Sequence, residues 1–317
     1  MADWYKASLV PASLEEADAT GDDDLPFTSR RSPVLARNGC VASSQPLASS
    51  IGLDLLRRGA NAADAAVAVA AALAVTEPCS TGLGGDMFCL YYDSETRTVT
   101  SINGSGRSPK DLTFDKVKTT YPSVDGNGVD AASFRDSPHS VTVPGAARGW
   151  EDLLKKHGSG KFTFSEVLEP AALLAEQGFP VGPITSFHWK AGMKQITKWI
   201  SDEEEEAVPL TVDGKRAPNT GDVVVNKDMA RVLRDLGEKG ATAGFYEGST
   251  GQAIVEVVQK HGGCLTMDDL RSHGSSDFLE PICAEYRGVK LWQGTYIGNV
   301  KGVSLQLPLC HIPYPPN

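Results

Sequence analysis

Basic charge, paired cysteines and long apolar runs are all scarce in this chain of 317 residues. Lysine and arginine number 30 against 40 acidic residues, a formal charge of −10. Neutralising a phosphate backbone needs a clustered basic face, and none is present, so a nucleic-acid partner is excluded. The six cysteines (40, 79, 89, 264, 283 and 310) form no C-x-x-C pair. They are expected to be buried, reduced thiols of a cytosolic protein. The six histidines form no H-E-x-x-H or His/Cys cluster, so neither a structural metal nor a metal cofactor is expected. The longest apolar run, Ala65–Val75, has 11 residues, short of the roughly 18 that a membrane span requires. The first residues, M-A-D-W-Y-K-A-S-L-V-P, hold no apolar h-region. A cytoplasmic location is therefore expected, with the sequon Asn103-Gly104-Ser105 left unglycosylated.

Hydrophobic residues are not scarce. At 41% of the chain they provide for a sizeable core, in one large domain or two ordinary ones. Residues 1–35 are polar and acidic and read as a disordered or extended arm. Composition does not shift across 36–292, which reads as a single domain. Pro46-Leu47 opens a helix with Leu47, Ile51 and Leu55 on one stripe, stopped by Arg57-Arg58-Gly59. Asn61 caps a second helix, Ala62 to about Val75, whose first turn holds Asp64. This helix is small and apolar all round, so it is expected to be buried, tight against a sheet. Met87–Tyr92 is apolar on both strand faces and is expected to be covered on both sides, as in a layered α/β architecture. Asp93–Thr96 forms a turn leading back through Val99 to Ile102.

Further on, His139–Val143 reads as a strand feeding a helix from Ala146 to about Lys156. Thr163 and Glu166 make a capping box for a helix stopped by Gly178. Met229–Leu236 and Gly251–Gln259 read as helices, and Thr266 with Asp269 opens a short one. The acidic run Glu203–Glu206 is a solvated loop or helix face.

Two glycine-rich stretches could hold chemistry. Gly82–Asp86, G-L-G-G-D, lies between a helix and a strand, the reverse of the order a dinucleotide fingerprint or P-loop requires. It lacks G-K-[ST] and places an aspartate where an anion would approach, so no nucleotide cofactor is expected. The second is Asn103–Pro109, N-G-S-G-R-S-P, at the end of an expected core strand. Its small residues leave space around Arg107, whose planar fork of N–H donors suits bidentate capture of a carboxylate. The alternative is a tight turn with a surface arginine.

The run from Val41 to Pro78, then S-T-G-L-G-G-D-M-F, then N-G-S-G-R-S-P, resembles the large-subunit region of the γ-glutamyltranspeptidases. V-P-G-A-A-R-G-W, F-Y-E-G-S-T-G-Q-A-I-V-E and G-G-C-L-T-M-D-D-L support the likeness, which extends from about Ala36 to Trp292. The resemblance implies an N-terminal-nucleophile hydrolase with a four-layer αββα sandwich, here a partial one. It implies self-cleavage, after which the N-terminal threonine of a small subunit attacks the γ-glutamyl amide of glutathione or a related amide. It also implies that Arg107 binds the α-carboxylate of the glutamyl group.

The sequence departs from that pattern after Trp292. Residues 293–317 do not match the family and read as an aberrant tail, and no T-T-H-like junction occurs before Asn317. Thr119-Thr120 is the one Thr-Thr pair, inside the matched region and in an expected loop. No catalytic residue is thus expected in these 317 residues, and the chain alone is expected to be inactive, as a truncated product. A sandwich missing the small subunit's strands would expose apolar sheet faces. The alternatives are a related acylase with a different amide substrate and a catalytically silent polypeptide.

Overall fold

The computed structural model describes residues 32–124, 126–197 and 210–294. Most of the expected arm and tail, the acidic run Glu203–Glu206 and Cys310 lie outside the described residues. In chain order the elements are α1 (Pro46–Arg57), α2 (Ala62–Thr76), β1 (Met87–Asp93), β2 (Thr98–Gly104), α3 (Phe114–Thr120) and α4 (Ala131–Arg135). A 3₁₀ turn (Pro138–Ser140) leads to α5 (Ala146–His157), α6 (Phe164–Gln177), β3 (Phe179–Pro180) and α7 (Pro183–Thr197). Then come β4 (Val223–Val224), α8 (Lys227–Ala241), a π turn (Thr242–Tyr246), α9 (Ser249–Lys260) and α10 (Met267–Arg271). Strands β5 (Asp277–Leu279), β6 (Ile282–Tyr286) and β7 (Val289–Gln293) close the described chain. The mixture of helix and strand is the expected α/β class. Among the described residues no helix is long and apolar enough to cross a membrane.

The chain forms two compact units: residues up to Met87 with Gly104–Ser276, and Phe88–Asn103 with residues from Asp277 on. The first is helical. Asn61 accepts hydrogen bonds from the N–H groups of Ala63 and Asp64, and the Asp64 carboxylate accepts from the Asn61 N–H, a full capping box for α2. Asp64 also accepts from the Ser159 N–H, and the Asn61 amide donates to the His157 carbonyl, which ties the start of α2 to the end of α5. Helix α2 is buried along nearly its whole length, as expected, but its main packing partners are α1, α6 and α5 rather than a sheet. A rod of alanines lets neighbouring helices approach closely on every side. The α6–α8 contact completes this core with Leu168, Ala172, Leu233 and Leu236, all fully buried or nearly so. The expected capping box of Thr163 and Glu166 is present on α6.

The second unit holds the sheet β1-β2-β5, in which β5 runs antiparallel to β2, and the hairpin β6-β7. Asp93 shapes the turn between β1 and β2 by accepting from the N–H groups of Glu95 and Thr96. Burial alternates along β1, leaving Phe88, Leu90 and Tyr92 46%, 38% and 59% exposed. This corrects the expectation of a strand covered on both faces. The apolar content that suggested burial is there, but nothing among the described residues covers one side. Val289, Leu291 and Trp292 on β7 are exposed as well.

Three more expectations fail. Residues 139–143 form a 3₁₀ turn and an irregular segment, because the Ser137 and Ser140 hydroxyls donate to nearby carbonyls of Phe134, Arg135 and Ser137 and hold the backbone locally. The five described cysteines are free but not buried: 40, 79 and 283 are exposed, and 89 and 264 are intermediate. Thr119-Thr120 ends helix α3 rather than lying in a loop, with the Thr120 hydroxyl donating to the Lys116 carbonyl.

Candidate active-site loop cluster

Three loops of the helical unit converge around Arg107. The first is Gly82–Asp86, between α2 and β1 in the helix-to-strand order the sequence indicated. The second is Ser105–Pro109, which follows β2. The third is Val141–Gly145, which leads into α5.

Main-chain bonds lock the three together. The Gly85 carbonyl accepts from the N–H groups of both Gly145 and Ala146, 3.0 Å each. Those donors stand at the open start of α5, where intrahelical partners are lacking. The Val143 N–H donates to the Arg107 carbonyl at 2.9 Å. The Asp86 carboxylate accepts the Gly106 N–H at 2.7 Å. Glycine is required at two of these points by space. A Cβ on Gly106 would stand 1.6 Å from the Val143 carbonyl oxygen, and one on Gly145 would stand 1.9 Å from that of Gly104. The strands of backbone touch, and a methyl group would separate them.

A buried polar knot holds the third loop from behind. The Tyr246 hydroxyl donates to the Pro144 carbonyl at 2.6 Å and accepts from the Arg148 N–H at 3.2 Å. Arg148 is buried, pairs with Glu151 at 2.6 Å and donates to the Thr242 hydroxyl at 2.5 Å. Its guanidinium lies 5.6 Å from the centroid of the Tyr246 ring. Burial pushes the Tyr246 phenol well above its ordinary range, which keeps it a neutral donor. The motifs V-P-G-A-A-R-G-W and F-Y-E-G-S-T-G thus meet through Tyr246 and Arg148.

On this frame Arg107 is exposed and lines a cavity of about 220 Å³ with Ser108, Lys110, Val143, Asp269, Ser272 and His273. Asp269 is held from two directions. Its carboxylate accepts the Lys110 N–H at 2.8 Å, and caps α10 by accepting from the Thr266 N–H and hydroxyl. Burial alone would raise the Asp269 carboxyl, but these hydrogen bonds and the Lys110 charge hold it below its ordinary value. Arg107 and Lys110 therefore line the cavity together with an aspartate already engaged by backbone. The arrangement suits an anionic ligand group.

Arg107 sits where the sequence placed it, in a loop set by a strand whose last residues, Ser101–Gly104, are buried. Two contributors were missed. Asp86 had counted only as an obstacle to anions, although a short carboxylate after Gly-Gly is well suited to capture a backbone N–H. Tyr246 carries no signal in a single sequence, because its partner Pro144 is 102 residues away. Among the described residues no group of three or more His, Cys, Asp and Glu side chains could hold a metal.

Residues 48–304 match the family model described as gamma-glutamyltranspeptidase. The chain is 37% identical over 265 residues to the glutathione hydrolase-like YwrD proenzyme of Bacillus subtilis, covering 82% of this chain and 46% of that protein. Its fold is similar to gamma-glutamyltranspeptidase from Helicobacter pylori, with a TM-score of 0.74 and 30% identity over 83% of this chain and 72% of that one. It is also similar to cephalosporin acylase from Bacillus halodurans, with a TM-score of 0.71 and 37% identity over 85% of this chain and 48% of that one. The chain spans less than half the length of the curated relatives it matches, 46% and 41% for two of them.

Proposed function

This chain belongs to the γ-glutamyltranspeptidase family, and on that premise we propose that Arg107 holds the α-carboxylate of a γ-glutamyl group. The chain then supplies the carboxylate-holding half of a site that hydrolyses or transfers γ-glutamyl amides such as glutathione. The nucleophile, an N-terminal threonine acting with its own α-amine as base, comes from a small-subunit segment of the kind the family resemblance implies.

The observation that supports this reading is the presentation of Arg107. Its backbone is held through the Gly106 N–H and its own carbonyl, and the residue lines the cavity. An arginine whose backbone is fixed on both sides suits bidentate recognition of a carboxylate, which a flexible surface arginine would do poorly. Thr120, at the end of α3, is committed to its own helix, its hydroxyl donating to the Lys116 carbonyl.

A second reading draws on the 37% identity to a cephalosporin acylase. There the same arginine would hold the carboxylate of a different acyl group. Fold alone does not separate the two substrate classes.

The test uses γ-glutamyl-p-nitroanilide. Purified residues 1–317, without the nucleophile, release no nitroaniline; measurable turnover would overturn the division of labour. In the chain extended through a nucleophile-bearing segment, Arg107→Ala lowers kcat/KM roughly 10- to 100-fold, as expected for loss of a hydrogen bond to a charged group. Arg107→Lys recovers only part of this, since a point charge lacks the fork. An unchanged KM and kcat/KM in Arg107→Ala would remove the carboxylate role. Turnover of a cephalosporin amide but not of the γ-glutamyl amide would select the acylase reading.

A further inference from the structure

We propose that Asp86 is the positioning residue for Arg107, acting through the Gly106 N–H. The inference deepens the carboxylate-binding role of Arg107 and rests on it. Asp86 sits 20 residues before Gly106 in sequence, yet its Oδ1 lies 2.7 Å from the Gly106 nitrogen. A carboxylate acceptor makes this bond shorter and stronger than a neutral one.

Asp86 is itself rigidly placed. The preceding carbonyl, that of Gly85, takes two N–H donors at the start of α5, and the following side chain, Met87, is buried. The anchor therefore refers the Arg107 loop to α5, a 12-residue helix of the core. Gly106 lies against the Val143 carbonyl too closely for any side chain, so this peptide has one path past the third loop. The Val143 N–H then donates to the Arg107 carbonyl. Asp86 holds the near side of the arginine and Val143 the far side. Remove Asp86, and the loop keeps its fold through the remaining bonds but loses the side-chain clamp just before the guanidinium-bearing residue. A substrate carboxylate then meets an arginine whose main chain wanders, and small misplacements at a binding group carry large kinetic penalties.

The 317-residue chain itself serves for the test, so the outcome does not depend on catalysis. Amide exchange and ¹⁵N relaxation are measured on Gly106 and Arg107. In Asp86→Ala, exchange of the Gly106 amide accelerates about 10-fold or more, and the Arg107 amide gains fast motion, while helix α2 amides keep their protection. Asp86→Asn, which keeps a side-chain oxygen acceptor but loses the charge, falls between the parent and Asp86→Ala. Unchanged Gly106 exchange in Asp86→Ala overturns the proposal. So does an Asn variant as damaged as the Ala variant, because Asp86 would then act by charge and not as an acceptor. Loss of protection throughout α2 in both variants overturns it as well, since Asp86 would then be a general fold determinant.

In the extended chain, Asp86→Ala raises KM about 5- to 10-fold with a smaller change in kcat, and adds little when Arg107 is already alanine. Failure of the carboxylate reading shows separately, as an Arg107→Ala variant with unchanged KM beside a Gly106 amide that still responds to Asp86.

Discussion

The leucines between the packed helices of the helical unit and most large apolar side chains of the strand unit are buried to very different degrees. Leu168, Leu233, Leu236 and Leu270 of the helical unit are fully buried or nearly so. In the strand unit Phe88, Leu90, Phe278, Leu291 and Trp292 are all more than a third exposed. Hydrophobic content is thus no guide to burial unless a second layer is at hand. Helices α2, α6 and α8 bring their own second layer by packing on one another, whereas a sheet face or an open hairpin needs a partner surface. The site loops belong to the unit that completes its own core, which gives Arg107 a rigid base.

The largest effect that would break this contrast is a cavity in the helical core. Leu236→Ala should cost about 2–5 kcal/mol, read as a drop in the urea midpoint. A cost near zero would mean that the α6–α8 interface is not a packed core.

A smaller effect is expected from acid. Burial, followed by the Lys116 charge, lowers the His139 imidazole below its ordinary value. Hydrogen bonds lower Asp269 despite its burial. In both cases the unfolded state binds protons more readily, so stability is fully present above the unfolded value and falls as the pH drops through the folded one. Urea midpoints should therefore decline on descending from about pH 6.5, and again below about pH 4. The second decline should shrink in Asp269→Asn. A midpoint that rises on acidification would contradict both assignments.

The smallest effect belongs to the strand unit. Leu90→Thr keeps strand propensity and removes exposed apolar surface, so stability should change by less than about 0.5 kcal/mol. Light scattering at high concentration should fall, because an exposed apolar sheet face favours association. A loss of several kcal/mol, comparable to that in Leu236→Ala, would show that the two units do not differ as described.

Local chemistry was legible wherever partners lie close in sequence. The capping box at Thr163/Glu166 is formed, Asn61 caps α2, and Thr266 with Asp269 opens α10. The turn at Asp93–Thr96 and the place of Arg107 after a buried strand end were legible too. Illegible were the irregular path of residues 139–143, where serine hydroxyls outcompete the strand that Val141 and Val143 suggest, and the helical surroundings of α2. Nor does a sequence reveal that Asp86 reaches Gly106 or that Tyr246 reaches Pro144, since neither bond lies within one element.

The sequence by itself determined the α/β class and the family, and it placed Arg107 just after a strand end, because propensity, capping and motif spacing act over a few residues. Only the tertiary structure decided which backbone groups hold that arginine. Gly85, Asp86, Gly106, Val143 and Gly145 are scattered over three loops, and their hydrogen bonds come into existence only when the helical core brings those loops within 3 Å of one another.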